Sequence, residues 1–233
     1  MVDKNNLIFD IGYNKGEFAQ ECIRRFPNCK VIGVEANLSL VYGIPDTPNL
    51  KIINALVSSE DNKEVDFYIE PYQPGISTAS KDFIENSRFT KGSKYLRPNS
   101  SNWMEPVKAR TITLDMMIVE FGSPDYIKID VEGYECEVLK GLTQKQKTIC
   151  FEWREEAPEE VYKAVKHLQK LGYEKFGIIG IFEEGDVFKK FTYSSKGDPY
   201  LEEPDQYFSW DELDFDSLIN PDRRVNYGMM FVK

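Results

Sequence analysis

Apolar runs that are hydrophobic on both faces recur along this chain, each separated from the next by a stretch with helical spacing. The runs are LIFDIG (7–12), KVIGVEA (30–36), LKIINALV (50–57), DYIKID (125–130), TICFEW (148–153), KFGIIGIF (175–182) and YGMMFVK (227–233). A strand with one wet face alternates apolar and polar residues; these do not, so both faces must be covered. Between them, KGEFAQECIRRF puts Phe18, Cys22 and Phe26 on one stripe, with Ala19 and Ile23 beside it. TLDMMIVEFG ends at Gly122, and YECEVLKGL follows the fourth strand. PEEVYKAVKHLQKLG opens on Pro158, presents Val161, Val165, Leu168 and Leu171, and ends at Gly172. Proline at the start and glycine past the end are helix boundary signals. The alternation predicts an α/β fold, a mostly parallel sheet with helices on both faces and right-handed crossovers. At 233 residues the chain suits one domain over 1–233. Two segments break the rhythm. Residues 63–106 open with a strand, EVDFYIE, and turn irregular; residues 183–226 are irregular and rich in aromatics. Both are expected to be insertions forming the substrate side.

In such sheets, ligands dock beyond the carboxyl ends of the strands. The first strand runs into Asp10, Gly12, Asn14 and Gly16, a DxGxNxG turn, and the second ends at Glu35. Asp130 and Glu152 fall near further strand ends. Four carboxylates along one edge repel one another unless cations or donors are supplied. A nicotinamide dinucleotide needs GxGxxG, whose backbone receives pyrophosphate. An acid at the mouth of the turn suits a ligand bearing an ammonium group instead. S-adenosylmethionine is such a ligand, with its ribose hydroxyls for Glu35 and close backbone approach allowed by the glycines.

FDIGYNKGEF, VIGVEAN, TLDMMI and above all YIKIDVEGYECEVLKGL resemble the FkbM-type methyltransferases over roughly residues 7–155. Tyr13 departs from the alanine usual there. The resemblance implies a Rossmann-like class I methyltransferase fold with sheet order 3-2-1-4-5-7-6. It implies S-adenosylmethionine as cofactor, with Asp10, Gly12, Asn14 and Gly16 at its methionine end. Glu35, with Ala36 beside it, would hold the ribose, and Asn54 and Ala55 would lie near the adenine. The activity implied is O-methylation of a saccharide or glycan hydroxyl. Second to it stand methylation of a lipid, polyketide or other small-molecule hydroxyl, then a nicotinamide-dependent oxidoreductase, then a binding module without catalysis.

Methyl transfer to a hydroxyl needs an oxygen aligned behind the methyl and a route for its proton. The one histidine, His167, lies late in a helix and is rejected as base. Asp130, Glu132 and Glu152 are the catalytic candidates. A metal-free site is preferred; Asp130 and Glu152 holding Mg²⁺ is the second version. Glu132 could instead cap the helix that follows. The aromatics Phe188, Phe191, Tyr193, Tyr200, Tyr207, Phe208 and Trp210 could stack on sugar rings, but most read as a loop tucked onto the core.

Charge bounds the partners. With 29 Lys+Arg against 39 Asp+Glu the formal net charge is −10, so nucleic acid and anionic membranes are not expected. RFTKGSKYLR, residues 88–97, reads as a solvated loop. No apolar run approaches a membrane span, and MVDKNNLIFD has no signal-peptide core. Cys22, Cys29, Cys136 and Cys150 lack CxxC spacing and read as reduced thiols of a cytoplasmic protein.

Overall fold

The computed structural model describes residues 6–92, 101–182, 200–201, 204, 206–213, 215–218 and 225–233. In chain order the elements are β1 (Leu7–Ile11), α1 (Glu17–Arg25), β2 (Lys30–Glu35), α2 (Leu38–Val41), β3 (Leu50–Asn54), β4 (Leu56–Val57) and β5 (Glu64–Phe67). Next come α3 (Lys81–Asn86), α4 (Arg88–Lys91), β6 (Val107–Ile112), α5 (Leu114–Phe121), β7 (Tyr126–Ile129), α6 (Glu135–Lys140), β8 (Ile149–Arg154) and α7 (Pro158–Lys170). The last are β9 (Phe176–Phe182), α8 (Phe215–Leu218) and β10 (Val225–Val232). Seven strands form the main sheet in the order β3-β2-β1-β7-β8-β10-β9. Numbered along the chain within this sheet alone, that is 3-2-1-4-5-7-6, the expected order. β10 runs antiparallel to both neighbours and the other pairs are parallel.

The doubly apolar strands divide between two cores. Phe9, Ile11, Ile127, Ile129, Phe151 and Trp153 enter one, with Val161, Ala164, Val165 and Leu168 of α7. Ile8, Tyr126, Cys150 and Phe231 enter the other, with Phe18, Ala19 and Cys22 of α1. Alternation with period two sends successive side chains to opposite faces, so both faces need apolar residues. Each large side chain so buried stabilises by about 1.5–3 kcal/mol. All four cysteines are buried free thiols.

Four expectations change. The run 50–57 is not one strand: β3 stays in the main sheet, and β4 leaves it to pair with β6. The small sheet, β4-β6-β5, uses a strand at 107–112 that the apolar pattern missed. VKARTI buries only Ala109 and Thr111 and exposes its cations, so no apolar run marks it. Residues 63–106 also hold two short helices, α3 and α4, rather than only loop. The basic run opens as α4, with half-buried Arg88 over the Tyr227 ring at 4.5 Å. Lys94 and Arg97 lie outside the described residues, as do Phe188, Phe191 and Tyr193. Phe208 bridges to Phe176, and Trp210 packs on Tyr162, Phe176 and Phe215, which fits a segment laid on the core.

Candidate active site

Strand order reverses beside β1, since β2 and β3 lie on one side of it and β7 on the other. The crevice at this switch point is where ligands dock in such sheets. The turn after β1 is held by its neighbours. Gly12 has φ 79°, and a Cβ there would fall 1.8 Å from the Asp130 carbonyl oxygen. Gly16 has φ 78°, and a Cβ there would meet the Tyr13 ring at 2.2 Å. The departure at Tyr13 is thus absorbed by two glycines, since a Cβ on Gly33 would also strike this ring, at 2.5 Å. Glycine is required here by the packing of the protein itself; ligand approach is not the only reason.

Asp10 is not at the mouth of the turn. It is 0% exposed, and its cross-strand partner in the β1–β7 register is Lys128. The Lys128 ammonium lies 3.1 Å from Asp10 Oδ1 and 3.5 Å from Asp130 Oδ2, and donates to the Gly12 carbonyl at 2.8 Å. Burial pulls the lysine pKa down, but Asp10 and Asp130 more than reverse this, and it stands above its ordinary value. The ammonium expected from a ligand is therefore supplied to Asp10 by the chain. Lys128 was the residue the sequence reading passed over. Its signal was present: a single cation inside the apolar strand YIKI.

Glu35, at the end of β2, is 8% exposed and fixed at both oxygens. Asn14 N–H donates to Oε2 at 2.8 Å and Asn37 N–H donates to Oε1 at 2.7 Å. Burial raises its pKa, and these two donors oppose the rise. Asn14 adopts φ 50°, and its Oδ1 is buried without a hydrogen-bond partner among the described residues. A cleft of about 530 Å³, counted to its open mouth, is lined here by Gly12, Asn14, Glu35, Ala36, Ala55 and Asp130, among others. Residues 63–106 contribute Phe67, Pro74, Gly75, Ser77 and Ala79 to the same wall. Asn54 is not among the residues lining this cleft; its side chain clamps the strand ends beside it, donating to the carbonyls of Glu35 at 2.8 Å and Ala36 at 3.2 Å. A second cleft of about 740 Å³ shares Gly12, Asn14 and Asp130 with the first and adds Lys15, Lys128 and Tyr200.

Asp130, Glu132 and Glu152 do come together. One carboxylate oxygen of each lies within 4.8 Å of the others. Adjacent parallel strands explain this, since Ile129 of β7 pairs with Phe151 of β8 and each acid follows at once. Glu132 sits in the turn at φ 54°, its carbonyl accepting from Thr78 Oγ1 at 2.7 Å. It does not cap α6. Glu135, the first residue of α6, instead folds back over the turn, accepting from Val131 N–H at 3.1 Å and from Gly133 N–H at 3.0 Å. Burial, then Asp130, pushes the Glu132 pKa up to about 8, and burial with Glu132 and Asp130 holds Glu152 well above the usual range. His167 is in the last turn of α7, bonded to the Leu142 carbonyl at 3.0 Å. Helices return from the ligand edge, so it stands at the opposite edge.

The seven-stranded order, with a cleft at its switch point and a fixed acid after the second strand, defines a Rossmann-like sheet of the class I methyltransferase type. The family model described as Methyltransferase FkbM domain matches residues 10–175, and the chain belongs to that family. The hexuronic acid methyltransferase AglP of Haloferax volcanii is 25% identical over 154 residues, covering 64% of this chain and 55% of the relative. The crystal structure of methyltransferase FkbM from Methylobacillus flagellatus KT superposes with a TM-score of 0.52 at 11% identity, covering 100% of this chain and 44% of that one. The chain thus spans roughly half the length of these two relatives.

Proposed function

We propose that this chain binds S-adenosylmethionine in the first cleft and methylates a hydroxyl of a saccharide, with hexuronic-acid glycans the leading class. Glu35 carries the reading. Two backbone donors fix its carboxylate at the cleft wall, and each oxygen keeps a lone pair for a ribose hydroxyl. The residues fit the cofactor elsewhere too. Asn14 Oδ1 is a buried acceptor in need of a donor, which an ammonium group provides, and Asp130 joins the two clefts. The bound cofactor supplies a sulfonium methyl: a C–O bond to the acceptor forms, the C–S bond breaks, and sulfur keeps the electron pair. This chain's residues orient the acceptor and receive or relay its hydroxyl proton at the carboxylates of Asp130, Glu132 and Glu152. The AglP likeness supports the substrate class. Four free cysteines, and no helix among the described residues long and apolar enough to cross a membrane, support a cytoplasmic site of action.

Calorimetry with S-adenosylhomocysteine and with NAD tests the cofactor. Binding of the first alone is expected; binding of NAD alone refutes the reading. Methyl transfer from labelled S-adenosylmethionine to a panel of hexoses, hexuronic acids and their oligosaccharides tests the acceptor. Transfer only to lipid or polyketide hydroxyls overturns the saccharide.

A further inference from the structure

We propose that Asp130, Glu132 and Glu152 form a binding site for one divalent cation of the oxygen-preferring kind, such as Mg²⁺ or Mn²⁺. Three observations carry it. First, the acids offer one oxygen each within 4.8 Å of the others, from two adjacent strand ends and the turn between β7 and α6. Hard divalent cations take such carboxylate sets, with water completing the shell. Second, Glu152 is 7% exposed, and its Oε2 has no hydrogen-bond partner among the described residues. A buried, unpartnered oxygen on a carboxylate that belongs to such a cluster lacks what the group needs, a donor or a cation. Third, no protein cation among the described residues makes a close ion pair with Glu132 or Glu152, although the Arg154 charge acts on both. Lys128 serves Asp10 and Gly12 and touches the cluster only at Asp130. The Arg154 guanidinium stacks on the Phe83 ring at 4.2 Å, and that of Arg88 on Tyr227 at 4.5 Å. Among the described residues neither Glu132 nor Glu152 has an ion pair within 4 Å.

The site stands on these side chains alone; only the use of the ion rests on the methyl-transfer reading. Asp130 and Glu132 also line the cofactor cleft, so the ion faces the reacting end of that cleft. There it would bind the acceptor hydroxyl oxygen and lower its pKa, the proton passing to water before or as the oxygen takes the methyl group.

The test is Mn²⁺ titration of the whole chain after EDTA treatment, read as loss of the free-ion EPR signal, with no cofactor or acceptor present. One ion per chain is expected, displaced by Mg²⁺. Glu152→Gln should weaken binding by at least about tenfold. The control Glu137→Gln, on a half-buried acid paired with Lys140 outside the cluster, should leave it unchanged. Absence of saturable binding at millimolar Mn²⁺, or binding equally strong in Glu152→Gln, overturns the proposal. Calorimetry of S-adenosylhomocysteine on the same metal-free samples keeps the two readings apart. Its failure removes the cofactor assignment and leaves the cation result standing, and the reverse holds equally.

Discussion

Replacing Lys128 with methionine tests whether the charge pair beneath the glycine turn holds the site together. Methionine keeps the apolar stem and removes only the ammonium. At 3.1 Å from Asp10 Oδ1, the lost attraction is about 5 kcal/mol at an effective dielectric near 20. The lysine no longer needs desolvating, which offsets part of this. Removing one partner of a buried pair costs about 3–5 kcal/mol in such cases, because the other charge stays buried. With Lys128 4% exposed and Asp10 0% exposed, the upper half of that range is expected. Urea unfolding followed by circular dichroism gives the loss. Its pH dependence gives the cause. In Lys128→Met, Asp10 loses its stabilising ammonium, and burial raises its folded pKa above the unfolded value of about 3.9. An acid raised in the folded state loses stability as pH climbs from the unfolded to the folded pKa. The deficit should therefore be complete at pH 7 and shrink toward pH 4. Asp10→Asn/Lys128→Met, which buries no charge, should recover much of it. A deficit below about 1 kcal/mol, or one independent of pH, refutes the assignment of Lys128 as counter-charge to Asp10.

Three further outcomes follow from the geometry. Glu35→Ala should weaken S-adenosylhomocysteine binding by about 1.5–3 kcal/mol while circular dichroism stays unchanged; equal affinity removes Glu35 from the ribose. Gly16→Ala should destabilise the chain by more than the roughly 1 kcal/mol of its left-handed backbone, since Tyr13 blocks the new methyl group. Adding Tyr13→Ala should then recover the steric part in urea unfolding, and no recovery would show that the clash lies elsewhere. His167→Ala should leave methyl transfer at the wild-type rate, measured with labelled cofactor, because the ring meets only the Leu142 carbonyl at the far edge of the sheet.

The sheet was legible because burial on both faces writes itself into every strand. The same rule hid β6, which buries only Ala109 and Thr111, and hid the break at Ala55 between β3 and β4. Site residues were legible as types at strand ends, but their partners were not. Asp10 looked like a ligand for an external ammonium until the β1–β7 register put Lys128 opposite it. Glu132 and Glu135 are both acids near the start of α6, yet Glu135 folds back onto the backbone N–H groups of the turn while Glu132, at positive φ, joins the carboxylate cluster. Asn54 stands one residue before a true lining residue, Ala55, yet faces the backbone of the neighbouring strand.

These assignments divide the acids at the strand ends into two kinds. Asp10 is neutralised inside the fold by Lys128, and through that lysine it holds the Gly12 carbonyl and the edge of the first cleft. Glu35 is oriented by two backbone donors, which leaves it free to recognise a neutral diol but poorly placed to accept a full proton. Asp130, Glu132 and Glu152 remain, gathered within 4.8 Å of one another, with Asp130 lining both clefts and Glu132 the first. Their mutual repulsion is a cost to the folded chain that Arg154 only partly offsets, since among the described residues neither Glu132 nor Glu152 has an ion pair within 4 Å. Such a cost is tolerated where a site needs charge held ready for a proton, a cation or a reacting hydroxyl. On the proposed function, the chemistry belongs beside β7 and β8, at Asp130, Glu132 and Glu152. The turn after β1, the most recognisable motif in the chain, would then be the scaffold that brings the cofactor to it.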